Sequence, residues 1–161
     1  MGDTKKALFV SWEDIEKLRR ILYKKIKSKK FEPDIIIGVS RGGLIPIRVL
    51  SDFLNNDNIS VIRVKFYERS GKRGRTSKTR KEPTIIENTT PDIRNKKILV
   101  VDDVVESGRT LEIVKNNLIK RGPSKVLTSA LFYKRKSRPA PDFYAKITDK
   151  WIVFPWERYE E

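Results

Sequence analysis

The chain has 161 residues, 38% of them apolar, with 36 lysines and arginines against 21 aspartates and glutamates, a formal charge of +15, and neither cysteine nor histidine. That length suits one core and is short for two. The missing residues exclude disulfides, zinc fingers and every histidine-based acid–base scheme. The basic excess suits an anionic partner, either nucleic acid or a polyphosphate ligand, or a heavily solvated lysine-rich surface.

Met1 to Val10 lacks the long apolar region of a signal peptide, and no apolar run is long enough to span a bilayer. A cytoplasmic chain with no membrane partner is expected. Ser11 followed by Asp14 reads as a capping box, and Ile15, Leu18, Leu22 and Ile26 fall on one face of the helix behind it. Asp34 to Val39 has the character of a buried strand. Ser40-Arg41-Gly42-Gly43 then turns into a helix carrying Leu44, Ile47, Leu50 and Leu54. Small residues let backbone N–H groups converge on an anion there, and Arg41 adds a planar fork of donors.

Ser60 to Glu68 alternates as a strand, with Val64 and Phe66 on one side and Arg63 and Lys65 on the other. From Arg69 to Lys81 there is no apolar residue and there are seven basic ones. Such a stretch cannot bury anything, so residues 69–83 are expected to form a mobile basic flap before strand character resumes at Thr84-Ile85-Ile86.

The chain is organised around Ile98 to Thr110. Ile98-Leu99-Val100-Val101 reads as a buried strand that stops at Asp102-Asp103, where polar chemistry begins. Glu106-Ser107-Gly108-Arg109-Thr110 turns directly into a helix whose apolar face is Leu111, Val114, Leu118 and Ile119. A helix start offers unpaired N–H groups, two hydroxyls add donors, and Gly108 leaves room for a phosphate to approach. The segment is a phosphate seat beside two acids. A P-loop reading fails because no Gly-x-x-x-x-Gly-Lys-Ser/Thr occurs. A receiver-domain reading fails because too little chain follows Asp103. After Gly122-Pro123, Val126 to Tyr133 is another strand, Lys134 to Pro141 is a basic loop stiffened by proline, and Trp151 to Trp156 is densely aromatic.

The acid-pair loop Asp102 to Thr110, the Ser40-to-Gly43 turn and the Trp-Ile-Val-Phe-Pro-Trp ending together resemble the purine branch of the type I phosphoribosyltransferases. The likeness is strongest to xanthine-guanine and hypoxanthine phosphoribosyltransferases. It implies an α/β, Rossmann-like fold, with a mainly parallel sheet flanked by helices, in a single domain over 1–161 with a C-terminal hood at 134–157. It also implies transfer of ribose 5-phosphate from phosphoribosyl pyrophosphate to a purine base with Mg²⁺, in a homodimer or homotetramer. By the same resemblance, Asp102 and Asp103 hold the ribose hydroxyls directly or through the metal, and Glu106, Ser107, Gly108, Arg109 and Thr110 cradle the 5-phosphate. Ser40, Arg41, Gly42 and Gly43 hold pyrophosphate, often with a cis peptide in that turn. Lys134 faces the purine 6-oxygen, Trp151 stacks on the base, and the Ile152 backbone meets its other edge. The family commonly has Asp where this chain has Glu106, the candidate base that takes the purine proton. The alternative is a regulator on the same fold that senses phosphoribosyl pyrophosphate and binds nucleic acid. No helix-turn-helix or similar module supports it.

Overall fold

The computed structural model describes residues 7–69 and 80–157. The elements run β1 (Leu8–Phe9), α1 (Trp12–Ser28), β2 (Ile35–Ser40), α2 (Leu44–Leu54), β3 (Ile59–Arg69), β4 (Arg80–Glu87), β5 (Lys97–Val105), α3 (Arg109–Ile119), β6 (Lys125–Tyr133), β7 (Phe143–Ile147) and β8 (Ile152–Val153), with a short 3₁₀ turn at Pro155–Glu157. Six strands form one sheet in the order β4-β3-β2-β5-β6-β7. All neighbours are parallel except β3 and β4, which pair antiparallel. The flap expected over residues 69–83 is shorter than the basic composition implies: Arg69 ends β3, and residues 80–83 belong to β4 because they pair with residues 66–69 across the hairpin, while residues 70–79 lie outside the described residues.

Alternation along the central strands distributes the core to both sides of the sheet. Ile36, Leu99 and Val101 pack with Ile15, Leu18, Leu22 and Ile26 of α1 and Ile47 and Leu50 of α2. Their sequence neighbours Ile35, Ile37, Ile98 and Val100 pack with Leu111, Val114 and Leu118 of α3. Continuous apolar runs in β2 and β5 are what a parallel sheet buried on both faces demands. The capping box of α1 forms as the sequence predicts: Asp14 N–H donates to Ser11 Oγ at 3.0 Å, and Ser11 N–H donates to the Asp14 carboxylate at 2.9 Å.

Three further expectations are corrected. Ile119 is not part of the buried face of α3 but 53% exposed. It follows Leu118 directly, and one residue around a helix is a step of about 100° off the apolar stripe. Leu44 is likewise exposed rather than core, because it opens α2 at the rim of a cavity. The strand carrying the acid pair does not stop at Val101. It continues to Val105 because β6 keeps pairing with it, Asp102 opposite Ala130 and Val105 opposite Tyr133, while pairing with β2 ends at Gly38 opposite Val101. The two acids therefore sit where β5 has outlasted one neighbour and kept the other.

The order of the sheet reverses at this place. From β2 the chain steps outward to β3 and β4, and from β5 it steps the other way to β6 and β7. In open parallel sheets a crevice forms at such a switch point, beyond the carboxyl ends of the two strands. A two-stranded parallel sheet, β1 with β8, brings the aromatic C-terminal segment over that crevice.

Candidate active site

The crevice is a cavity of about 1080 Å³ whose wall includes Ser40, Arg41 and Gly42 after β2, Asp102 and Asp103 of β5, Glu106, Ser107, Gly108 and Thr110 of the following loop, and Trp151. Residues from three separate stretches of the sequence thus share one space. The Ser40–Arg41 peptide is cis. Gly42 passes so close to β5 that a Cβ there would lie 2.4 Å from Asp103 Oδ1. The bareness of that turn is what lets it lie against the acid pair.

Asp102 and Asp103 are held by the backbone of their own strand. Asp103 N–H donates to Asp102 Oδ1 at 2.9 Å, and Val104 N–H donates to Asp103 Oδ1 at 2.7 Å. Burial, and then the charge of Asp103, push the Asp102 carboxyl well above the usual carboxylate range, and burial also raises Asp103. Two adjacent carboxylates short of solvent favour a cation between themselves and a ligand. Mg²⁺ suits this donor set, because it is ordinarily bound through one or two carboxylates and completes its shell with substrate oxygens and water. Among the described residues no group of three or more acidic side chains forms a cage for an ion.

Four predicted residues stand behind the wall rather than in it. Gly43 donates its N–H to Val39 O at 2.7 Å and begins α2. Ile152 is buried in β8, opposite Leu8. Arg109 reaches away from its loop to Glu82 of β4, at 3.1 Å. Lys134 is only 8% exposed, and its ammonium donates to the carbonyl of Lys150, the residue before Trp151.

The cavity wall also contains residues that sequence reasoning did not assign: Leu44, Phe66, Trp156 and Glu157. Trp156 stacks on buried Phe154, with centroids 4.6 Å apart and planes 7° from parallel, and the Trp12 ring approaches it at 5.9 Å, tilted by 52°. Trp151 is 64% exposed, leaving its ring open to a planar ligand. The density of aromatics near the C-terminus was the available signal, but it does not separate the core residue Phe154 from the wall residue Trp156.

Residues 11–160 match the family model described as the phosphoribosyl transferase domain. The chain belongs to the phosphoribosyltransferase family. It is similar to the xanthine-guanine phosphoribosyltransferase of Idiomarina loihiensis, 29% identical over 96% of this chain and 89% of that protein. It is also similar to the hypoxanthine-guanine phosphoribosyltransferase of Aquifex aeolicus, 30% identical over 96% and 89% of the two chains. Among solved structures it resembles a purine phosphoribosyltransferase from Pyrococcus horikoshii, with a TM-score of 0.82, 35% identity and 96% of each chain covered. Within this phosphoribosyltransferase, the acid pair, the following loop, the glycine turn and Trp151 are the cavity-wall elements the sequence singled out.

Proposed function

We propose that this enzyme transfers ribose 5-phosphate from phosphoribosyl pyrophosphate to a ring nitrogen of a 6-oxopurine, hypoxanthine, guanine or xanthine, giving the nucleoside monophosphate and pyrophosphate. The observation that carries the reading is the convergence of Asp102–Asp103, the Glu106–Thr110 loop, the Ser40–Gly42 turn and the open Trp151 ring on one cavity. The relatives named for purine substrates support the choice of base.

In the reaction the bond from the sugar C1′ to pyrophosphate breaks, a bond from C1′ to the purine nitrogen forms, and the proton on that nitrogen leaves. Mg²⁺, held by Asp102 and Asp103, would supply positive charge to the ribose hydroxyls and the departing pyrophosphate. Arg41 and the N–H groups of its turn take the rest of that charge. Ser107, Gly108 and Thr110 seat the 5-phosphate at the start of α3. The base lies against Trp151, and we assign its proton to Glu106, an exposed carboxylate on the cavity wall. Lys134 stands just behind the wall, with its ammonium bonded to the carbonyl of the residue before Trp151, and we assign its remaining N–H donors to the purine 6-oxygen on the family resemblance.

A homodimer or homotetramer in the cytoplasm accompanies this reading. No helix among the described residues is long and apolar enough to cross a membrane. Purified protein, Mg²⁺, phosphoribosyl pyrophosphate and a panel of bases, with products identified by mass, test the assignment. Formation of inosine, guanosine or xanthosine monophosphate supports it, and absence of product with every 6-oxopurine refutes it.

A further inference from the structure

Ser137 belongs to a run of cations, Lys134 to Arg138, that reads from the sequence as a solvated loop. In the structure Ser137 is 1% exposed. Its hydroxyl is shared between two carbonyls of the strand end opposite, Val105 O at 3.0 Å and Glu106 O at 2.5 Å. The same turn donates two further bonds, from Lys134 N–H to Val105 O at 2.9 Å and from Arg138 N–H to Ser107 O at 3.1 Å. Three consecutive carbonyls, those of Val105, Glu106 and Ser107, are therefore held by the 134–138 turn.

The orientation of the following amides is a consequence. In a trans peptide the C=O of one residue and the N–H of the next lie in one plane and point in opposite directions. With the carbonyls of 105–107 drawn toward the turn, the N–H groups of Glu106, Ser107 and Gly108 face the other way. That side is the cavity, whose wall contains Glu106, Ser107 and Gly108 and none of residues 134–138. Gly108 completes the fit: a Cβ there would lie 2.5 Å from Pro139 O, so only a bare backbone lets the two loops close on each other.

We propose that Ser137 is a positioning residue, whose hydroxyl aims the amides of residues 106–108 at the 5-phosphate. Among the contacts of the turn, the Ser137 hydroxyl is the one that fixes the middle carbonyl, that of Glu106. Without it the Glu106–Ser107 peptide is free to rotate, and its N–H no longer points where the phosphate sits. The inference rests on the reading of Glu106–Thr110 as the phosphate seat.

The test uses two ligands that differ by the phosphate alone, guanosine 5′-monophosphate and guanosine, with binding read from the fluorescence of the tryptophans on the cavity wall. The wild-type protein binds the monophosphate more tightly. In Ser137→Ala that preference falls about tenfold, the effect of one buried hydrogen bond, while the affinity for guanosine stays unchanged and KM for phosphoribosyl pyrophosphate rises. Ser137→Cys, nearly the same size but a weak donor, behaves like the alanine variant even where alanine compromises folding. An unchanged preference in folded variants overturns the assignment, as does a parallel loss of both affinities with falling Tm, the mark of a merely structural hydroxyl. A wild-type protein with no preference for the monophosphate instead refutes the reading of the cavity itself, and the role of Ser137 with it.

Discussion

Replacing Gly42 with alanine is expected to disable the enzyme through Asp103 without replacing a charged residue. A Cβ at position 42 would stand 2.4 Å from Asp103 Oδ1, 2.5 Å from its Cγ and 2.6 Å from Oδ2. Ordinary carbon–oxygen contact lies near 3.4 Å, so the carboxylate has to retreat by about 1 Å. Retreat breaks the 2.7 Å bond it accepts from Val104 N–H. A hydrogen bond to a charged group contributes about 1.5–3 kcal/mol, and replacing glycine where its backbone is not left-handed returns about 0.4–1 kcal/mol through the unfolded state. The net loss of about 1–2 kcal/mol lowers Tm by about 2–8 °C in a chain of this length. Activity suffers more, since a misplacement of about 1 Å in a reacting group is enough for a loss of about 10²-fold. Turnover with saturating phosphoribosyl pyrophosphate and Mg²⁺, read beside a calorimetric scan, checks both numbers. The sharper control is the cycle with Asp103→Ala: once the carboxylate is gone, Gly42→Ala adds no further loss. Wild-type turnover in Gly42→Ala, or simple additivity in the cycle, would refute the contact argument.

Asp102→Asn is expected to lower turnover by about 10²-fold or more while raising the Tm of the ligand-free protein at neutral pH. The sign follows from the raised carboxyls of Asp102 and Asp103. A group whose folded pKa lies above its unfolded value contributes stability that is fully present at acid pH and lost as pH rises through the folded value. Scans from acid to neutral pH should show the wild type losing more stability than the variant, and a variant less stable at neutral pH contradicts this. Gly108→Ala forces an alanine to φ 84° against Pro139 O and the Arg138 carbonyl carbon. Left-handed backbone and overpacking together cost about 3 kcal/mol, a fall in Tm of about 6–12 °C, and an unchanged melting curve would show that the two loops separate freely. Adenine is expected to be refused by about 10⁴-fold relative to hypoxanthine, because its amino group would meet the donors of Lys134. Lys134→Met should lose oxopurine turnover but keep affinity for phosphoribosyl pyrophosphate, and efficient use of adenine by the wild type would remove Lys134 from base recognition.

The parts of this enzyme that were legible in the sequence are those whose cause is local. An apolar run, a small polar turn and a helix start lie within a dozen residues of one another at Ile35 to Ile47 and again at Ile98 to Leu111, and both units form where the pattern puts them. What could not be read depends on partners far along the chain. Val104 and Val105 have strand propensity, but two acids interrupt the apolar run before them, and what sustains β5 past Asp103 is pairing with β6, which begins at Lys125. Nothing in Leu8-Phe9 announces a strand, because its partner is Ile152-Val153 at the other end of the sequence. The 134–138 loop shows the mechanism of failure most directly. Lysine and serine in a run of cations signal exposure, since a buried donor without an acceptor is costly. Here the acceptors exist, but they are the carbonyls of Val105, Glu106 and Lys150, supplied by distant stretches of backbone. Burial of a polar side chain is decided by whether the fold delivers a partner to it. Side-chain chemistry marked Glu106 to Thr110 as a candidate site, whereas backbone carbonyls, which leave no trace in composition, decide which polar residues are drawn in to support that loop.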